Sequence, residues 1–177
     1  MNTITKRAFS SLYNYSNAAN PRVWLSVAAN GNKLGEMVFE LYEDKQPAHA
    51  EHFQTLVEGT ADGRAYAGQS FNRGVAGLGI AAGRFEAENF GANNVWLNDG
   101  DLNLRHHKRG MLTAVSDQGR NGGEFMITFG EASMLNGSQT VFGELVEGES
   151  VLAELEKHVD RHGKVADGLT INAAGLK

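Results

Sequence analysis

The 177-residue chain predicts a mainly β fold, an antiparallel barrel with helices capping its ends. Three observations carry this reading. Twenty-two glycines stand against two prolines, and the glycines fall between short apolar runs, where turns need positive φ or close backbone approach. Several of those runs alternate apolar and polar residues, the period of half-buried strands. Two stretches, far apart in the chain, carry the three-to-four residue spacing of a helix.

The elements follow in order. In Arg22–Ala28, Val23, Leu25 and Val27 share one face; from Gly35, Met37, Phe39 and Leu41 repeat the phase. Asn30-Gly31-Asn32 between them supplies a turn, so the two runs pair as a hairpin. Gln46–Gly59 opens with Pro47, suited to a first helical turn, spaces Ala50, Phe53 and Leu56 three apart, and closes on Gly59. Short strands separated by glycine come next, at Ser70–Val75, Gly77–Ala82, Gly110–Val115, Glu124–Gly130 and Thr140–Val146. Ser150–Val159 reads as a second helix with Val151, Leu152, Leu155 and Val159 on one face, and Gly168–Lys177 as a closing strand.

Composition narrows the function. A net charge of −5 argues against nucleic acid as the main partner. With no cysteine there is no disulfide framework, thiolate nucleophile or thiolate metal site. No apolar run approaches the ~18 residues of a membrane span. The first 35 residues stand apart: no Asp or Glu precedes Glu36, while Lys6, Arg7, Arg22 and Lys33 are basic. The opening MNTITKRAFSSLYNYSN mixes basic, hydroxyl and aromatic residues without a continuous apolar core. That composition suits a mitochondrial presequence and not a secretory signal; the alternative is a plain basic tail. Arg7-Ala8-Phe9-Ser10 looks like a matrix-processing site. The expected division is a basic arm over residues 1–19 and one domain over residues 20–177.

From about Asn20 to Lys177, the order and spacing of the sequence words resemble the cyclophilin family of peptidyl-prolyl cis-trans isomerases. Residues 20–59 are similar to the family's opening hairpin and first helix, including Asp44-Lys45 before Pro47 and Glu51-x-Phe53 within the helix. Residues 66–85 resemble its catalytic strand pair, and residues 135–152 its Leu-Asp-Gly, Val-Phe-Gly and second helix. The resemblance implies a closed eight-stranded antiparallel barrel capped by two helices, with no cofactor or metal.

Rotation about an X–Pro bond faces a barrier of roughly 18–20 kcal/mol, because the amide nitrogen shares its lone pair with the carbonyl. As the bond twists, that lone pair localises and accepts a hydrogen bond, so a donor aimed there stabilises the twisted state selectively. The family uses an arginine as donor, beside an apolar pocket for the proline ring. By resemblance Arg73 takes the arginine's place, with Phe71 two positions earlier and Asn72 replacing a histidine. Leu78 stands for the aromatic pocket floor, Gly79 for a methionine, and Ala81 for the glutamine that orients the arginine. Glu124 replaces another glutamine, Phe125 is kept, and Met126 replaces a phenylalanine. Ser116 aligns with the substrate-facing asparagine, Val115 with its neighbouring alanine, across a loop over Asp117–Gly123 about one residue short. Met134 takes a Trp or His place, Leu135 is kept, and Gln139 replaces the last pocket histidine.

Two roles for Arg73 stand open: a brace bonded to turn carbonyls or to Glu124, or a working donor. The basic run Arg105–Arg109 reads either as a solvated loop or as a docking patch for acidic protein, RNA or lipid headgroups. The pairs His49/His52 and His158/His162 read as surface histidines rather than ligands. The expectation is a cyclophilin-fold protein with a degenerate site, a structural subunit of a mitochondrial assembly on the matrix side, contacting other subunits through residues 1–20. An active matrix isomerase assisting folding is the alternative; a peptide-binding module is a third.

Overall fold

The computed structural model describes residues 13–85 and 96–177. Within them the elements run β1 (Arg22–Ala29), β2 (Asn32–Leu41), α1 (Pro47–Glu58), β3 (Phe71–Val75), β4 (Gly79–Ala82), β5 (Leu97–Asn98), β6 (Met111–Asp117), β7 (Arg120–Thr128), β8 (Thr140–Glu147), α2 (Glu149–Lys157) and β9 (Leu169–Leu176). A 3-10 turn at Ser133–Leu135 lies between β7 and β8. Eight strands pair in the order β3-β4-β7-β6-β8-β2-β1-β9, all antiparallel, and β5 pairs with β7 off that path. The path curls into a nearly closed barrel. Its seam is bridged at Ser70–Thr170, where Gly68 N–H donates to the Ile171 carbonyl at 2.7 Å and Ile171 N–H to that of Gln69 at 2.9 Å. The mainly β barrel with two helices is therefore the fold of this chain.

Local chemistry explains the pairings. The β1–β2 register places Ala29 opposite Asn32, leaving Asn30 and Gly31 as a two-residue loop with φ of 50° and 80°. Two positive φ values are what a type I′ hairpin needs, and Asn-Gly supplies them at least cost. The same solution recurs at Gln118 (φ 52°) and Gly119 (φ 78°), with Asp117 opposite Arg120. This corrects the expected Asp117–Gly123 loop. Arg120–Gly123 belong to β7, held by Asn121, which pairs with Ser116 on β6 and Leu97 on β5.

Helix α1 starts at Pro47 without a side-chain cap. Its neighbour Gln46 instead ties the helix start to the sheet, donating to the carbonyls of Asp101 (2.9 Å) and Val141 (3.0 Å) and accepting from Asp101 N–H (3.0 Å). The apolar face of α1 enters the barrel end. Phe53 meets Tyr66, Phe125 and Phe142 at ring distances of 4.8, 5.1 and 5.2 Å, and the buried Tyr66 hydroxyl donates to the Gly123 carbonyl at 2.7 Å. Helix α2 buries Val151, Leu152 and Leu155. No helix among the described residues is long and apolar enough to cross a membrane.

Residues 13–20 are fastened to the barrel as a strap. Ser16 Oγ donates to Glu40 Oε1 at 2.8 Å, and Asn17 N–H to Glu40 Oε2 at 3.0 Å. Asn20 Nδ2 reaches Asp44 Oδ1 at 3.0 Å. Residues 1–12, with the processing-site word Arg7–Ser10, lie outside the described residues.

Phe53 joins helix to barrel through three rings, so its truncation removes transfer energy and leaves a cavity. Phe53→Ala is expected to lower stability by about 3–5 kcal/mol in urea unfolding. A loss under about 1 kcal/mol would show that the α1 contact does not organise the core.

Candidate functional site

The strand register assembles the site as one row. Arg73 pairs with Ala81, Ala81 with Met126, and Met126 with Thr113. Their neighbours Ile80, Ala82, Phe125, Ile127, Leu112 and Ala114 all pack in the main core. Because strand side chains alternate, Arg73, Ala81, Met126 and Thr113 face outward together. Glu124, two positions before Met126, shares that face.

Glu124 dominates the row electrostatically. Its side chain is 0% exposed and forms ion pairs with two arginines, Arg73 Nη1 at 3.0 Å and Arg84 Nη1 at 3.2 Å. A buried carboxylate is tolerated only when paired, and removing one partner costs more than the pair itself contributes. Arg73 is 57% exposed, so it reaches from the groove mouth toward the carboxylate. Sequence reading named Glu124 as one brace for Arg73 but missed Arg84. The signal lay in the buried acid: a fully enclosed carboxylate calls for a second donor, and Arg84 lies two residues past the adjoining strand β4.

Next along the row, Met126 lies over Gly79. A Cβ built on Gly79 would stand 2.8 Å from both Cγ and Sδ of Met126 and 2.7 Å from the Ile127 carbonyl. No side chain fits at position 79 while Met126 takes this course. Thr113 Oγ1 lies 3.4 Å from Gln139 Oε1, which ties the row to the segment carrying Met134 and Leu135. Met134 is 71% exposed and Leu135 half-buried. Leu78 sits half-buried in the β3–β4 turn, its carbonyl accepting from Phe129 N–H at 2.9 Å.

Four of the aligned residues lie elsewhere. Phe71 and Phe125 are buried in the main core cluster, on the inner face, and contribute barrel packing instead of groove wall. Ser116 follows a register shift in β6 and donates to Asp99 Oδ1 at 3.1 Å. Val115 lies within that shift, half-buried.

Behind the row, a cleft of about 220 Å³, counting its open mouth, is lined by His49, His52, Tyr66, Gly122, Glu124 and Phe142 among others. His49 is 5% exposed and donates from Nε2 to Asn121 Oδ1 at 2.7 Å; Asn121 Nδ2 donates to Asp99 Oδ1 at 2.9 Å. The expected surface pair is therefore corrected: α1 turns His49 and His52 inward, against the start of β7. Burial pushes His52 down to about 4, reinforced by neighbouring His49, and burial lowers His49 despite its bond to Asn121. Among the described residues no group of three or more His, Asp and Glu is arranged to hold a metal ion.

The basic run Arg105–Arg109 meets several groups of the chain itself. Lys108 pairs with Glu144, and Arg109 with Glu149 at 2.6 Å and with Glu156. His106 is fully buried and Arg105 lies over the Tyr13 ring at 5.9 Å. The chain's own acids and aromatics engage part of this run, while Arg105 and Lys108 stay exposed in a loop.

A protein-family model described as cyclophilin type peptidyl-prolyl cis-trans isomerase/CLD matches residues 25–176.

The inward histidines make stability depend on pH. Their native pKa values lie below the unfolded value near 6.5, so the unfolded chain binds more protons as pH falls. Their contribution is complete above about pH 6.5 and is lost as pH falls toward 4. From His52 alone, about 2–3 kcal/mol of stability is expected to disappear between pH 7.5 and 4.5. Urea midpoints at the two pH values check this. His52→Gln is expected to shrink the acid loss, and an unchanged loss in that variant would contradict the assignment.

Proposed function

Since this chain belongs to the cyclophilin-type peptidyl-prolyl isomerase family, we propose that it keeps the barrel as a structural or accessory part and has a degenerate isomerase site. The observation that carries this is the Arg73–Glu124 ion pair at 3.0 Å, with Glu124 fully enclosed. An arginine engaged with a carboxylate has less to offer the weakly basic nitrogen of a twisted amide. Loss of donor strength falls on the transition state, where catalysis needs it.

The rest of the row supports the same reading. By resemblance a glutamine orients the catalytic arginine, and here Ala81 stands opposite Arg73 with no donor or acceptor to offer. Replacing the aromatic floor by Leu78 removes roughly 1–3 kcal/mol of proline-ring burial, and the lost hydrogen bond about 0.5–1.5 kcal/mol more. At the upper end of these ranges, a combined loss of about 4 kcal/mol corresponds to roughly a thousandfold in rate.

The proposed setting is the matrix side of a mitochondrion, as a subunit of the respiratory chain, the ATP synthase or the mitochondrial ribosome. The acid-free, basic start of the sequence supports it, with Arg7–Ser10 as the processing word. The arm over residues 1–19, continuing to Asn20, is the proposed contact with neighbouring subunits.

Two experiments test this. In a protease-coupled assay on a proline-containing peptide, kcat/KM is expected to lie about a thousandfold below that of an ordinary cyclophilin. Turnover within about tenfold of one, abolished by Arg73→Ala, would overturn the degenerate-site reading and leave an active isomerase. On a native gel the endogenous protein is expected to migrate with a large complex. Migration only as the 19.1 kDa chain would overturn the subunit reading.

A further inference from the structure

The segment that carries Met134, Leu135 and Gln139 is held from one buried point. His106 donates its backbone N–H to Asn136 Oδ1 at 2.7 Å and its ring Nδ1–H to the same oxygen at 2.9 Å. Its carbonyl accepts from Ala132 N–H at 2.9 Å. With Nδ1 protonated, the neutral ring's Nε2 accepts from the Thr113 hydroxyl at 2.8 Å, and Thr113 borders Gln139. Burial favours that neutral ring. Both ends of the 132–139 segment and one member of the outward row therefore depend on where His106 sits.

The position of His106 is in turn tied to the strap. Its neighbour Arg105 donates its backbone N–H to the Tyr15 hydroxyl at 3.0 Å. The Tyr15 ring meets Tyr42 edge-on at 5.7 Å and His107 at 5.3 Å, and its carbonyl accepts from Lys45 Nζ at 3.2 Å. Ser16 and Asn17 follow directly, bonded to the carboxylate of Glu40 on β2. An unbroken chain of contacts runs from β2 through the strap and Arg105 to the groove wall.

We infer that Tyr15 is a positioning residue for the groove, setting the 132–139 wall through Arg105 and His106. This coupling concerns the geometry of the 132–139 wall and does not require that the groove bind a peptide. It gives the strap a function apart from any partner: the state of the N-terminal segment is felt at the wall. A partner protein that draws residues 13–20 off the barrel would loosen the groove without touching it.

The test uses the full chain and the Tyr15→Phe variant, which keeps the ring and removes the acceptor of Arg105 N–H. Side-chain amide signals of Asn136 and Gln139, with backbone signals of residues 132–139, are recorded by NMR. They are expected to shift together with those of Arg105 and His106, and amide exchange in the wall is expected to quicken about threefold to tenfold, the effect of one neutral hydrogen bond. Tyr15→Ala, which also removes the ring, is expected to enlarge the same shifts. Changes confined to residues 13–20 and Tyr42, with the wall unchanged in both variants, would overturn the inference.

Discussion

A single buried carboxylate constrains the outer face of this barrel. Glu124 is fully enclosed on β7 and shared between an arginine on β3 and another just past β4. Desolvating a carboxylate costs several kcal/mol, offset only while its partners stay in place. Neither β3 nor β7 can shift register, nor can the segment past β4 move, without separating the charges. The same demand acts on Arg73: its Nη1 stands 3.0 Å from Glu124 Oε1, although more than half of the side chain is open to solvent. Groove chemistry on this row therefore begins from an arginine already engaged.

The interior and exterior of the same strands answer to different rules. On β7, Phe125 and Ile127 pack among the aromatic and aliphatic core, where a lost methylene is felt at once. Glu124 and Met126 alternate with them and face out, free to vary so long as charge is balanced and space filled. A period of two lets one strand keep its packing residues while its groove residues change. That separation lets barrel packing and groove chemistry vary independently, so fold and activity are argued from different residues.

Much of the fold was legible because the decisive signals are local. Asn30-Gly31 specifies a two-residue hairpin by its backbone preferences alone, and Pro47 with Ala50, Phe53 and Leu56 specifies α1 by spacing. Strand β7 was read four residues short because Arg120–Gly123 is polar and glycine-rich; pairing with β5 and β6, a non-local effect, makes it a strand. The site was legible as a set of positions, since the register brings Arg73, Ala81 and Met126 side by side. Its contacts were not. Which acid meets Arg73, that Arg84 shares it, and that Met126 covers Gly79 depend on side chains from different strands. For Phe71 and Phe125 the strand face decided the role, and residue type alone does not reveal which way a strand faces. The histidines of α1 looked exposed because polar residues usually are; here a buried hydrogen bond to Asn121 accommodates His49.

Everything said of the groove turns on whether Arg73 is bound to Glu124 in solution. A double-mutant cycle of Arg73→Ala and Glu124→Gln, read as urea-unfolding free energies at neutral pH, measures that interaction directly. A coupling energy of about 1 kcal/mol or more is expected, reduced for the exposed arginine end and strengthened by the enclosed carboxylate. Effects that add to within about 0.3 kcal/mol would mean the two charges do not hold one another, and Arg73 would then be free to act as a donor.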